Sequence, residues 1–233
     1  MKEYYKYPRI YVATSLKHNS FIEITGEQYI YIANVMRLKK GHIIRVFNSK
    51  GEFLAKIDSE DKKRVTLEVF EQISPEDKNS LDLWLYFPLI KQDRLRFMIE
   101  KATELNVTHL VPVITEYTNK ANVKFDKLDH YIIDATEQCE RLTPPVLHQQ
   151  ITFEDLLKSN NKITVAVERE VTDFISKTQM TNHLFIGCEG GFSEKEKHLL
   201  LNNPNFNPIS LGETILRAET AAISLLCIYN FGR

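Results

Sequence analysis

Leu184-Phe-Ile-Gly-Cys-Glu-Gly-Gly-Phe-Ser-Glu-Lys-Glu196, followed by Ser210-Leu-Gly-Glu-Thr-Ile-Leu-Arg-Ala-Glu-Thr-Ala-Ala222, decides the fold of this 233-residue chain. In each half a short apolar run, strand-like in character, empties into a glycine loop and then enters a helix. Ser193 and Glu196 have capping-box spacing, so a helix is predicted to start immediately after the first loop. Gly187, Gly190, Gly191 and Gly212 allow positive φ or a close approach of backbone to a ligand. Ligands of open α/β sheets sit at such carboxyl ends of strands. The alternative at this point is two ordinary strand-to-helix turns.

The same alternation extends upstream to Leu81. Leu83 to Phe87, His109 to Ile114, Ile163 to Val167, His183 to Ile186 and Ile209 to Leu211 read as strands. Asp93 to Leu105 is a predicted helix with Leu95, Met98, Ile99, Ala102 and Leu105 on one face, and Asn106 stands where a left-handed residue is expected. Leu128, Tyr131, Ile132, Ala135 and Cys139 stripe a second helix, and Val171 to Lys177 forms a weak third. Alternating elements of this kind predict an α/β fold, a mostly parallel sheet with helices on both faces. The final helix carries Ala218, Ala221, Ala222, Leu225 and Tyr229 on one side and Ile223, Leu226 and Cys227 on the others. A helix apolar nearly all round is buried on several sides, in the middle of the domain or against a second subunit.

Residues 1–73 read differently. Arg9 to Ala13, Phe21 to Thr25, His42 to Phe47, Phe53 to Ile57 and Val65 to Phe70 are predicted strands of a small barrel-like unit. Thr25 to Gln28 has capping-box spacing and opens a helix that Gly41 ends. This part holds 13 Lys/Arg against 9 Asp/Glu, whereas the whole chain is at −1, so the remainder is at −5. Arg9, Arg37, Lys39, Lys40 and Arg45 are the cations that could meet phosphates on one face, the alternative being a charged barrel exterior. Residues 74–80, polar and turn-rich, form the expected linker between domains 1–73 and 81–233.

Composition narrows the function classes. No apolar run approaches the roughly 20 residues a membrane helix needs, and the N-terminal residues lack the apolar core of a signal peptide. Cys139, Cys188 and Cys227 are isolated thiols, suited to a reducing compartment, and the cytoplasm is expected. The seven His are scattered, and no metal site is expected. Gly-Cys-Glu-Gly-Gly is neither a dinucleotide fingerprint nor a P-loop. With glycines, the apolar neighbours Ile186, Leu211, Ile215 and Leu216 and no cluster of cations, the loops suit a ligand with a flat base and no phosphate. Adenosylmethionine is one of several that qualify.

At this point the residues resemble a known family. Ile186-Gly-Cys-Glu-Gly-Gly-Phe-Ser193 with Glu196, and Leu211-Gly212 with Ile215-Leu-Arg217 and Glu219-Thr-Ala-Ala222, resemble the signature pair of the RsmE-type ribosomal RNA methyltransferases of the SPOUT superfamily. Lys101-Ala-Thr-Glu-Leu-Asn-Val107, Glu137-Gln-Cys-Glu-Arg141 with Pro145, and Val35-Met-Arg-Leu-Lys-Lys-Gly41 extend the resemblance over nearly the whole chain. It implies a PUA-like RNA-binding barrel, a trefoil-knotted methyltransferase domain and a homodimer. It also implies methylation of N3 of one uridine in 16S rRNA of the small ribosomal subunit. The implied cofactor, adenosylmethionine, would be held by Ile186, Gly187, Glu189, Gly190, Gly191, Leu211, Gly212, Ile215, Leu216 and Ala218. The chain departs from the family at Cys188 (usually Pro), Asn106 (Gly), Tyr117 and Thr214 (Arg) and Tyr31 (His). The lost arginines bear on RNA contacts more than on the cofactor.

Methyl transfer to N3 needs alignment of the reactants and stabilisation of the deprotonated uracil. Arg217 is the expected stabiliser and Glu189 the expected base. Their structural alternatives are a pair between Arg217 and Glu219, and capping of the nearby helix by Glu189. Gln138 and Arg141 are candidate substrate contacts, although Arg141 could equally brace the Thr143-Pro-Pro145 turn. A non-catalytic RNA-binding assembly factor, an enzyme with a nucleotide cofactor, and a methyltransferase acting on another RNA are the competing readings.

Overall fold

The computed structural model describes residues 3–76, 82–118, 125–167 and 180–231. Its packing divides the chain into two compact units, residues 1–80 with 136–143, and residues 81–135 with 144–233. The expected second domain was continuous, so the regrouping of 136–143 is a difference. Its cause is a set of hydrogen bonds to the first unit that the sequence pattern does not display.

In the first unit a five-stranded sheet has the order β1 (Arg9–Tyr11), β3 (Ile43–Asn48), β4 (Gly51–Asp61), β5 (Arg64–Pro75) and β2 (Ser20–Thr25). β1 runs parallel to β3 and the other pairings are antiparallel. Strand alternation selects the core: Ile22 and Ile24 of β2 and Val65, Leu67 and Val69 of β5 are buried, while Phe21, Glu23 and Thr25 face out. Three register shifts between β4 and β5 bend and twist the long ladder. β5 also extends to Pro75, into the segment expected to be linker.

The predicted helix from Thr25 to Gly41 is shorter than expected. α1 (Gly26–Ile30) passes into a π-helical turn, Tyr31–Val35, and the chain then leaves through Arg37 at φ 54°. The Thr25 capping box does not form. Thr25 makes no side-chain cap bond, and Gln28 instead donates to the Tyr11 carbonyl at 2.6 Å.

The second unit contains a parallel sheet in the order β12 (Phe206–Ile209), β10 (Ile163–Ala166), β11 (His183–Ile186), β6 (Trp84–Pro88), β7 (His109–Ile114) and β8 (Val146–Leu147), with β9 (Ile151–Thr152) also on β7. Successive residues of its strands feed opposite faces. Leu85, Phe87, Leu110, Leu184 and Ile186 pack with Leu95, Met98 and Ile99 of α2 (Gln92–Glu104), Leu128 and Ile132 of α3 (Asp126–Gln138), and Ala222 and Leu225 of α6 (Ala218–Phe231). Tyr86, Val111, Val165 and Phe185 pack with Phe153 and Leu156 of α4 (Phe153–Leu157) and Leu200 of α5 (Glu194–Asn202). Complete burial of a side chain such as Leu85 or Phe185 contributes about 1.5–3 kcal/mol. Helices on both faces of a parallel sheet are the predicted architecture.

Element ends follow local chemistry. Asn106 has the expected positive φ, 66°, just beyond α2. Asn230 ties the end of α6 to that of α2 by donating to the Leu105 carbonyl at 2.7 Å. β12 lies earlier than the expected Ile209 to Leu211, at the sheet edge, where Pro208 is tolerated. The expected helix from Val171 to Lys177 lies outside the described residues. Among them, no helix is long and apolar enough to cross a membrane, and no His/Cys/Asp/Glu group could hold a metal ion.

Candidate cofactor site at two glycine loops

The carboxyl ends of β10 and β11 and the loop after β12 enclose a cavity of about 250 Å³. Gly187, Cys188 and Gly190 to Phe192 line it from the first loop, and Ser210 to Leu216 from the second, with Ala218 and Ala221 from α6. The first loop is a tight turn in which Gly191 N–H donates to the Cys188 carbonyl at 2.8 Å, with Gly191 at φ 70°. Gly187 is required for a different reason. A Cβ there would stand 3.0 Å from the ring of Phe192, which is itself buried. Gly212 has φ 125° with open space around it, so its requirement is conformational.

The first loop is anchored by the predicted capping box. Ser193 accepts from Glu196 N–H at 3.3 Å while the Glu196 carboxylate accepts from Ser193 N–H at 2.9 Å. Glu196 also accepts from Glu116 N–H at 2.8 Å, which joins the loop after β7 to the start of α5. The cationic side chain lining the cavity, Lys197, pairs with Glu194 at 2.9 Å. Backbone loops, apolar walls and few charges fit a flat heterocycle better than a polyphosphate.

Of the expected cofactor residues, Gly187, Gly190, Gly191, Leu211, Gly212, Ile215, Leu216 and Ala218 line this cavity. Ile186 is instead fully buried beneath it in the sheet. Glu189 is turned to Arg94 of α2, with which it forms an ion pair, so it does not cap α5; Ser193 does. Arg217 is exposed between two lining residues and makes no ion pair with Glu219 among the described residues. Glu219 lies near Arg94, 3.9 Å away. Ala166 and Val167, Phe192 and Ser210 are lining residues that the sequence reading missed. Its position as the last residue of the predicted strand Ile163 to Val167 was the available signal for Val167, which lies one residue beyond β10.

The first unit corrects part of the expected RNA face. Arg9 is buried. Its guanidinium pairs with Glu52 at 2.9 Å, donates to the carbonyls of Thr136 and Arg141 at 2.9 and 2.7 Å, and covers the ring of Phe47. It therefore satisfies carbonyls at and beyond the C-terminal end of α3, where a cation is favoured. Arg45, its register neighbour, is buried too and pairs with Glu140 at 2.7 Å. Arg37 and Lys39 are exposed, with Lys39 paired to Glu60 at 3.0 Å. Gln138 is exposed and Arg141 half-buried; both belong to the first unit and neither lines the cavity.

Residues 77–230 match the model of the RNA methyltransferase domain, and residues 24–70 match that of the RNA methyltransferase PUA domain. A Rickettsia conorii protein named ribosomal RNA small subunit methyltransferase E is 39% identical, covering 95% of this chain and 94% of its own. The chain belongs to the RsmE-type RNA methyltransferase family. A Neisseria gonorrhoeae ribosomal RNA small subunit methyltransferase E, solved with bound S-adenosylmethionine, is 25% identical over 95% of each chain with a TM-score of 0.82. A Legionella pneumophila structure with bound SAM is 26% identical, covers 97% of this chain and 98% of its own, and has a TM-score of 0.86. Within this RNA methyltransferase the glycine loops, the parallel sheet and the PUA domain are thus accounted for together.

Proposed function

We propose that this chain transfers a methyl group from adenosylmethionine to N3 of one uridine in 16S rRNA of the small ribosomal subunit. The observation that carries the reading is the cavity built from the two glycine loops, with the exposed Arg217 between its lining residues Leu216 and Ala218. Bound adenosylmethionine supplies an electrophilic methyl group on a sulfonium. Gly187, Gly190 to Phe192 and Leu211 to Leu216 hold and shield it, and their weak charge suits a ligand without phosphates.

Arg217 stabilises the negative charge that develops on the uracil oxygens as the N3 proton leaves. Glu189 is the carboxylate proposed to receive that proton, directly or through water, with Arg94 fixing its position. Because N3 is on the Watson–Crick edge, the uridine is taken unpaired or flipped out. Arg37, Lys39, Gln138 and Arg141 are the proposed RNA contacts.

Three further features belong to the same reading. The chain is proposed to be knotted because the resemblance to the RsmE-type family implies it, and α6, which follows edge strand β12, packs on central β11 and on α2. It acts as a homodimer in the cytoplasm, with the half-exposed apolar residues Ile223 and Cys227 of α6 at the subunit contact. The test is Arg217→Ala measured two ways. Calorimetric binding of adenosylmethionine is retained and methyl transfer to small-subunit rRNA is lost; a variant with full turnover contradicts the role of Arg217.

A further inference from the structure

Tyr117 combines a rigid backbone with an exposed ring. It occupies the tip of a turn after β7 in which Thr115 and Thr118, both buried, bind each other: Thr118 N–H donates to the Thr115 carbonyl at 3.1 Å, Thr115 N–H donates to Thr118 Oγ1 at 2.8 Å, and the two hydroxyls are 2.8 Å apart. The neighbouring Glu116 N–H is held by buried Glu196, the residue that caps α5. Thr115, Glu116 and Thr118 are thus tied down, yet Tyr117 itself is 52% exposed.

The ring is placed beside the cavity. A Cβ added to Gly190, a lining residue, would lie 3.3 Å from Tyr117 Cβ and 3.5 Å from Cδ2, so the side chain rests on bare glycine backbone. Among the described lining residues, Ile215 is a large apolar side chain left exposed. Holding an aromatic ring in water by a buried polar turn contributes nothing to the core. It does preorganise a flat apolar surface next to the position where an unpaired base must arrive.

We infer that Tyr117 is a substrate-binding residue, a stacking platform for an unpaired RNA base, the target pyrimidine or its immediate neighbour, at the mouth of the cofactor cavity. This rests on the reading of the chain as an RNA methyltransferase. Stacking on an aromatic side chain is worth roughly 1–3 kcal/mol per base, which corresponds to a change of about 5- to 150-fold in affinity. Such stacking is tolerant of base identity, so Tyr117 holds the RNA without choosing the uridine.

The test compares the wild-type chain with Tyr117→Ala and Tyr117→Phe, measuring adenosylmethionine affinity by calorimetry and KM and kcat separately for methyl transfer to small-subunit rRNA. Tyr117→Ala is expected to raise the KM for RNA by about 5-fold or more with the adenosylmethionine affinity unchanged. Tyr117→Phe, which keeps the ring, restores the wild-type KM. An unchanged KM in Tyr117→Ala, or a Phe variant as impaired as the Ala variant, overturns the stacking role alone. A wild-type chain that methylates no rRNA overturns the functional reading and this inference together.

Discussion

Arg94 on α2 donates its guanidinium to the carboxylate of Glu189 in the first glycine loop, and its Nε lies 3.9 Å from Oε1 of Glu219 at the start of α6. One side chain therefore links the first loop of the cavity to the helix that follows the second. The two contacts differ in kind. Glu189 is about one-third exposed, whereas Glu219 is buried and its Oε2 has no hydrogen-bond partner among the described residues.

Removing the cation should therefore be felt through Glu219. An exposed ion pair contributes at most about 1 kcal/mol, so Glu189→Gln should change stability little. Arg94→Ala leaves a buried carboxylate without its cation and is expected to cost about 1–3 kcal/mol. Urea unfolding of the two variants checks the order. Equal losses would mean that Glu219 is indifferent to Arg94.

The two kinds of glycine predict two kinds of damage. Gly187→Ala drives a methyl group into the buried ring of Phe192 and should cost about 1–3 kcal/mol by overpacking. Gly212→Ala meets no atom within 4 Å but places a Cβ on a residue at φ 125°, so its penalty is backbone strain of roughly 1 kcal/mol or more. Both distort loops that line the cavity. Calorimetric titration should find adenosylmethionine binding at least about tenfold weaker in each, equivalent to 1.4 kcal/mol. Wild-type affinity in either variant would remove that loop from the site.

Ser193 and Glu196 form one capping box with unequal responsibilities. Ser193→Ala removes the cap bond from Glu196 N–H and should cost about 0.5–2 kcal/mol. Glu196→Ala removes bonds from both Ser193 N–H and Glu116 N–H, each worth roughly 1.5–3 kcal/mol to a carboxylate. Thermal and urea unfolding should rank Glu196→Ala as the more damaging. Because Glu196 also fixes the turn of Tyr117, its loss should raise the KM for RNA as well.

A histidine cluster at the other end of the parallel sheet sets a pH dependence. Trp84 stacks on His109 at 3.9 Å and on His183 at 5.4 Å, and His109 lies 3.2 Å from Asp82 and 2.9 Å from His148. Burial holds the pKa of His109 and His183 below the usual 6.5, with Asp82 opposing the shift and His148 adding to that of His109. The unfolded chain then binds more protons, so stability rises with pH across this window. Melting temperature should fall as pH drops from above 6.5 through the depressed folded values, and less steeply in His183→Gln. An identical slope in the variant would show that His183 does not contribute.

The parallel sheet was legible because its strands are apolar on both faces, and the cavity because glycines punctuate two strand ends. Arg9 was misread for a physical reason. A lysine or arginine in a local pattern reads as solvated surface, and the partners that bury this one lie 43 and more than 120 residues away. β8 and β9 have two residues each, too few for any period to register. Asn207-Pro208 pushed the expected start of the last strand to Ile209 instead of Phe206, because proline is admitted to a strand only at an edge that sequence does not reveal. The Arg94–Glu189 pair was missed for the same reason as Arg9: its partners lie 95 residues apart.

The central claim is methyl transfer to uridine N3, and nucleoside mass spectrometry of the reaction product tests it most directly. The purified chain is incubated with adenosylmethionine and small-subunit rRNA, free or in assembled subunits, isolated from a strain lacking the corresponding activity. The account predicts 3-methyluridine in the digest, dependent on the wild-type chain and absent with Arg217→Ala. A methylated nucleoside other than 3-methyluridine, or none with either form of the rRNA, would contradict it.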